Sequence, residues 1–177
     1  SLKNELNQMF DALRARRDFP VYEVSNPPHM FKAHATYFTD QIATMLGVTS
    51  PREGVYYDKK TDTDLLFVTI NKSEKEYSPT TMYDDFAISS NEFQWDSQSK
   101  TKANSATGKR YAHTGISRNP ALLFVREKKK QNGMTSPYIC LGHVRYTSHT
   151  GESPMAIKWK LDIPIPQRFI KVMKIAR

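Results

Sequence analysis

Beyond Pro51 the chain alternates apolar and polar residues with a period of two, and this pattern is what most limits its fold. Apolar or β-branched runs occupy residues 65–70, 121–126, 138–146 and 155–161, with turn-forming stretches between them. In the last run apolar side chains alternate with lysines, which is typical of a strand with one buried and one wet face. The sequence therefore predicts a mainly β body.

Residues 1–48 have a different period. Apolar residues recur there at helical spacing in two stretches, Leu2, Leu6, Met9, Phe10 and Leu13, then Phe31, Ala35, Phe38, Ile42, Met45 and Leu46. Asn26, followed by two prolines, is a suitable cap for the second helix, and Gly47 can end it. We predict an α+β, mainly β protein with a two-helix extension or linker over residues 1–48. Residues 49–177 would form a curved sheet or barrel, because no helices alternate with the strands as in a doubly wound parallel sheet.

Composition narrows the class of protein. A chain of 177 residues with 38% hydrophobic and 25% charged residues suits one folded domain and is too apolar for extensive disorder. Cys140 is the single cysteine, which excludes an internal disulfide and a zinc site built from several thiolates. Without a secretory leader pattern, a reducing cytoplasmic location is expected. A start at Ser1 with no Met suggests a segment of a longer protein.

Positive charge is concentrated in one stretch. Residues 100–130 hold nine Lys or Arg and one acid, Glu127, and their net charge of +8 equals the formal charge of the whole chain. A run of this kind can neutralise a line of phosphates and release their counterions. We predict contacts to the DNA backbone from Lys102, Lys109, Arg110, Arg118, Lys128, Lys129 and Lys130. The alternative is a solvated stretch of basic residues without a partner.

Two segments would present these side chains. Residues 99–117 are rich in Lys, Ser, Thr, Asn and Gly, so we predict a long, mobile loop there. The run 126–130 ends an apolar strand and leads to Asn132-Gly133, a favoured hairpin dipeptide, so its lysines should project into solvent. Loop and hairpin would flank one duplex and position it without reading its sequence.

A resemblance to a known family is carried by a set of segments that spans roughly residues 53–166. These segments are 83–88, 93–98, 122–127, 138–142, 147–155 and 157–161, with Pro164 and Pro166. They resemble the C-terminal domain of bacterial modification-dependent (type IV) restriction enzymes of the SauUSI kind. In those enzymes the domain follows a phospholipase-D-like nuclease and a superfamily-2 helicase.

That family looks like a divergent relative of the SRA domains, which flip 5-methylcytosine out of a duplex into a pocket. The resemblance implies a PUA/SRA-like fold and a reader of 5-methylcytosine or 5-hydroxymethylcytosine in double-stranded DNA, in the bacterial cytoplasm. It implies helicase and nuclease domains in the same polypeptide. A homodimer is a further candidate partner. Because no Gly-rich phosphate cradle, Ser-His-Asp set or Cys-His pair stands out, we expect no cofactor, metal or catalytic residue in this chain. The implied base-binding residues are Tyr83 and Trp95 as stacking rings, Asp85 at the base edge with Asp84 in reserve, and Phe93 and Ser97 beside them.

Other interpretations remain open. Large aromatic residues are commonly buried, so Tyr83 and Trp95 would equally suit the core, and Asp85 a turn or cap. The chain would then be an interaction or dimerisation domain with nonspecific DNA affinity. A metal-dependent nuclease would use Glu127 and Lys129 with Asp96 as second carboxylate. The histidines His113, His143 and His149 lack an ordered ligand spacing, which favours structural roles over zinc binding or acid-base work.

Overall fold

The computed structural model describes residues 2–3, 6–7, 21–24, 31–49, 54–71 and 85–173. The strands in these ranges are β1 Tyr22–Glu23, β2 Lys32–Ala33, β3 Thr36–Tyr37, β4 Gly54–Asp58, β5 Thr63–Thr69, β6 Phe86–Ala87, β7 Glu92–Asp96, β8 Ala121–Arg126, β9 Lys130–Gln131, β10 Met134–Thr135, β11 Tyr138–Thr150 and β12 Ala156–Leu161. The helices are α1 Thr39–Leu46, α2 Ala106–Ala112 and α3 Gln167–Met173. Strands dominate, so the predicted mainly β character is confirmed.

One mixed sheet forms the body of the described protein. Its strands lie in the order β4-β5-β8-β11-β12-β7-β6, and β3 pairs with one end of β11. Neighbours are antiparallel except β5 and β8, which run parallel. Because the order begins at β4 and ends at β6, the sheet is open, and the predicted alternative of a closed barrel is wrong. None of the helices that the structure describes has the length and apolar character needed to cross a bilayer.

Burial along the strands follows their position in the sheet. Every residue of β5 and β8 is buried, as expected for central strands that are covered on both faces. In β12 the side chains alternate: Ile157 and Trp159 are buried while Lys158 and Lys160 are exposed. The predicted period of two in this run is therefore confirmed.

Two hydrophobic clusters cover the two faces of the central strands. Leu66 and Val68 enter one cluster, together with the aromatic residues of β7 and β12. Leu65 and Phe67, their neighbours along β5, enter the other, which also contains Phe31. Residues on both sides of residue 48 thus share a core, since Phe31 packs edge-on against Phe124 of β8 at 5.1 Å between ring centroids.

The second predicted helix is only half right. Gly47 ends α1 in the left-handed conformation at φ 68°, as expected, but the helix begins at Thr39. The preceding residues form β2 and β3 instead, because β3 pairs with β11 and the Tyr37 hydroxyl accepts a hydrogen bond from the Lys32 N–H at 2.8 Å. These long-range contacts outweigh helical spacing. The first predicted helix falls mostly outside the described residues, although Leu2, Lys3, Leu6 and Asn7 are helical.

The predicted long loop over residues 99–117 is also wrong, since α2 occupies its centre. Ser105 caps the helix by accepting a hydrogen bond from the Gly108 N–H at 3.1 Å. Tyr111 is 2% exposed and packs into the first core cluster. A short polar segment therefore folds here because one large aromatic residue anchors it to the sheet.

Candidate nucleic-acid interface

Three lysines lie between the end of β8 and the β9–β10 hairpin: Lys128 and Lys129 in the link that joins them, and Lys130 in β9. Asn132 and Gly133 have φ of 52° and 77° and connect paired strands, which confirms the hairpin that the sequence predicted. Lys128 and Lys130 are exposed and Lys129 is half-buried. Glu127, next to them, is exposed. This end of β8 therefore presents positive charge to solvent.

Helix α2 and the segment before it contribute two further lysines. Lys102 lies just before the helix, Lys109 lies in its last turn, and both side chains are exposed. We refer to Lys102, Lys109, Lys128, Lys129 and Lys130 as the lysine set. Lysine side chains of this kind are suited to contact phosphates as mobile point charges.

The two arginines that the sequence predicted as further phosphate contacts form ion pairs within the protein instead. Arg110 donates through Nε and Nη2 to Asp64, whose side chain is fully buried, at 2.9–3.2 Å. Arg118 donates to Asp62 at 2.6–2.9 Å and to Asp64 at 3.3 Å. The Arg110 guanidinium also lies 4.1 Å from the centroid of the Tyr57 ring. Internal ion pairs thus account for both guanidinium groups, so we leave Arg110 and Arg118 out of the phosphate-binding set.

This network of ion pairs and hydrogen bonds also shifts the pKa values of two of its members, Asp62 and Tyr57. The pKa of Asp62 lies below its ordinary value because Arg118 donates hydrogen bonds to its carboxylate, and the Tyr57 hydroxyl adds another. The pKa of Tyr57 is raised by the same hydrogen bond to Asp62. The pattern is that of a charged network that ties the β4–β5 turn to the segment after α2.

The aromatic residues of β7 lie in the core. Phe93 is fully buried and Trp95 is 3% exposed. The Trp95 ring packs edge-on against Tyr111 at 5.4 Å and tilted against Trp159 at 6.2 Å between centroids. A ring enclosed in this way offers no open face to a base, so this geometry matches core packing, the alternative that the sequence left open.

The side chains of Asp85 and Ser97, which lie close to Trp95 in sequence or pairing, both accept hydrogen bonds from backbone N–H groups. The Asp85 carboxylate accepts a hydrogen bond from the Asp96 N–H at 2.8 Å and is 3% exposed. Ser97 is fully buried, and its Oγ accepts a hydrogen bond from the Met155 N–H at 2.9 Å. Both groups act on the backbone in this structure. The remaining members of the predicted base-binding set, Tyr83 and Asp84, lie outside the described residues.

The metal-site alternatives receive no geometric support. Within the described ranges, no three His, Cys, Asp or Glu side chains are grouped so as to hold a metal ion. His113 bonds through Nδ1 to the Lys109 carbonyl, and His149 bonds through Nδ1 to the Tyr146 hydroxyl, both at 2.6 Å. These two histidines therefore have separate local partners.

Sequence reasoning missed a cleft of about 450 Å³ beside β11, where the Cys140 carbonyl accepts a hydrogen bond from the N–H of the lining residue His34. Tyr22, His34 and Ser90 line it, together with the segment 163–168 that follows β12. At Gly142 (φ 84°), a β-bulge of β11 lets β2 approach closely, and a Cβ there would lie 3.2 Å from the Ala33 side chain. No motif marks these residues, because they come from distant parts of the chain.

These features define a class, a mainly β domain with an open mixed sheet, three short helices and two groups of lysines, one after β8 and one on or just before α2. A family model described as a domain of unknown function (DUF3427) matches residues 31–172, and the chain belongs to this family. No curated protein matches the chain. The match begins at Phe31, the residue through which the segment before α1 enters the sheet core.

Proposed function

We propose that this chain is the DNA-binding reader domain of a type IV restriction enzyme and recognises 5-methylcytosine or 5-hydroxymethylcytosine in double-stranded DNA. The open mixed sheet would be an SRA-like fold, linked to helicase and nuclease domains of the same bacterial polypeptide. The observation that carries this proposal is the lysine set, in which every side chain except the half-buried Lys129 is exposed. The set lies in a stretch whose net charge equals that of the whole chain. The resemblance of residues 53–166 to the SauUSI-type domain is the reason for proposing a modified cytosine as the ligand.

The lysine set sets the salt dependence of binding. Each neutralised phosphate contributes about −0.9 to the slope of log affinity against log salt, so five contacts give a slope of about −4.5. Raising salt from 50 to 200 mM would then weaken binding about 500-fold. Such contacts hold plain and modified DNA equally, so they position the duplex and do not read it.

Recognition of the methyl group requires a second step after backbone binding, the extrusion of the modified base from the duplex. Extruding a base costs a few kcal/mol, and each aromatic face that stacks on it returns about 1–3 kcal/mol. Burying one methyl group adds about 0.8 kcal/mol, or about fourfold in affinity. A shaped cavity raises this to about tenfold or more, and two readers in a dimer would multiply the preference. Because Trp95 is buried, the proposal does not depend on it as a stacking ring.

The test compares one duplex with and without a single methylated cytosine at fixed salt. We expect the methylated duplex to bind at least about tenfold more tightly. A ratio of one would favour the alternative, an interaction or dimerisation domain with only nonspecific DNA affinity.

Variants separate positioning from reading. The double substitution Lys128→Gln with Lys130→Gln should weaken methylated and plain DNA alike and reduce the salt slope by about 2. A matched control changes Lys158 and Lys160 to Gln, since both are exposed on β12 outside the basic stretch. Equal loss of affinity in both pairs would show that only total charge matters, and would contradict a phosphate contact by the hairpin.

A further inference from the structure

The cleft beside β11 has the size and lining of a ligand site. Its volume of about 450 Å³ falls in the usual range for small-molecule sites. On one side it is bounded by Tyr22 of β1 and His34, which follows β2. On the other it is bounded by Ser90 and the segment 163–168, which enters α3. The site is thus built from four separated parts of the chain.

His34 is the unusual member of this lining. Its side chain is 7% exposed, and among the described residues no group forms a hydrogen bond with Nε2. Buried polar atoms in proteins nearly always have a partner. The backbone holds His34 in a left-handed conformation at φ 70°, with its N–H donating to the Cys140 carbonyl at 2.6 Å. A non-glycine residue held in this conformation often marks a functional position.

The groups around His34 limit the chemistry of a ligand. The Tyr22 ring is 45% exposed and stands perpendicular to the imidazole at 5.4 Å between centroids. Pro164 and Pro166 supply flat apolar surface. Gln167 supplies an amide, and Arg168 a cation. None of the described residues that line the cleft is acidic.

The imidazole is uncharged at neutral pH. Burial lowers the pKa of His34, and the positive charge of Arg168 lowers it further. A neutral imidazole offers one hydrogen bond at Nε2, as donor or acceptor according to its tautomer. An aliphatic ligand would leave Nε2 unpaired, and an inorganic anion would leave the apolar walls uncovered.

We infer that this cleft binds a nucleotide, with the base between Tyr22 and the prolines, its polar edge on His34 and Gln167, and its phosphate on Arg168. The inference rests on the proposed function where the nucleotide is a cytosine everted from DNA. A free nucleotide presents the same groups, so the experiment must distinguish these two sources.

The experiment uses the full chain and titration calorimetry. The ligands are 5-methyl-dCMP, dCMP, deoxycytidine, inorganic phosphate, and the methylated and plain duplexes. We expect both nucleotides to bind at least tenfold more tightly than inorganic phosphate. His34→Asn, which tolerates the left-handed backbone, should lower nucleotide affinity at least tenfold and abolish the preference for the methylated duplex. Nucleotide binding no tighter than that of phosphate would overturn the inference.

Two further measurements keep the outcome clear. Arg168→Gln should remove the advantage of dCMP over deoxycytidine, whereas Lys171→Gln, an exposed cation on the same helix, should keep it. The His34 ring resonances of the unaltered chain should shift on addition of dCMP. The absence of any shift would contradict the cleft as the base site, even if His34→Asn failed to fold.

Different binding results would refute the proposed function and the cleft inference. If the unaltered chain binds neither duplex, the proposed function fails, and the free nucleotides alone decide whether the cleft inference stands. If it prefers the methylated duplex and folded His34→Asn retains that preference, the proposed function stands and the cleft inference fails. Binding of free nucleotides without any duplex binding would assign the cleft to a free nucleotide.

Discussion

Trp95→Ala is the substitution that most directly separates a core residue from a base-stacking residue. In this structure the indole is 3% exposed and contacts Tyr111 and Trp159. Replacing a buried Trp by Ala costs about 3–5 kcal/mol of stability, through lost burial and the cavity that remains. Because Tyr111 anchors α2, we expect the loss to extend to that helix. For a domain of this size the melting temperature should fall by about 6–20 °C.

Thermal and urea unfolding followed by circular dichroism provide the measurement, with Trp95→Phe as the matched variant that keeps an aromatic ring. We expect Trp95→Phe to lose less than half as much stability as Trp95→Ala. A cycle with Tyr111→Leu should give a coupling energy of about 0.5–1.5 kcal/mol for the edge-on pair. If Trp95→Ala kept its full stability and lost only the preference for methylated DNA, the assignment to the core would be refuted.

Three further predictions concern α2 and the ion-pair network. Gly108→Ala should destabilise the protein by about 1–3 kcal/mol in urea unfolding, because the new Cβ would clash with the backbone carbonyl oxygen of Lys102. Asp64→Asn should cost about 3 kcal/mol in the same assay, since it leaves two guanidinium groups beside an uncharged partner; a neutral result would contradict an energetic role for the network. The pKa of Asp62 is lowered in the folded state by Arg118, so its contribution is present above the unfolded pKa and is lost as pH falls through the folded value. Melting temperatures measured from pH 7 to pH 2 should therefore fall less steeply for Asp62→Asn than for the unaltered chain.

Much of the sheet could be predicted from the sequence. The runs at residues 65–70, 121–126, 138–146 and 155–161 all contain strands of the central sheet, because period and burial are linked wherever strands pack on a core. Local turn chemistry was equally informative at Asn132-Gly133, where the backbone conformation favoured by the dipeptide forms the hairpin. The order of the strands and the parallel pairing of β5 with β8 left no mark in the sequence pattern.

The candidate site was harder to predict. Charge density indicated the lysine set, of which all but Lys129 are exposed, but it also counted Arg110 and Arg118. The partners of these arginines, Asp62 and Asp64, lie about fifty residues away in sequence. The aromatic character of Trp95 could not distinguish a pocket from a core. In this structure Trp95 is a core residue because its indole is buried against Tyr111 and Trp159, and the contact with Tyr111 requires α2 to fold onto the sheet.

The amino-acid sequence by itself determined the four main strands, β5, β8, β11 and β12, the hairpin and the concentration of positive charge, since each depends on neighbouring residues. Tertiary structure alone decided which charges are paired, which aromatic rings are enclosed, and that His34 meets the segment after β12 in a cleft. The physical reason is that burial and ion pairing depend on residues brought together across the fold. Local patterns do not carry that information.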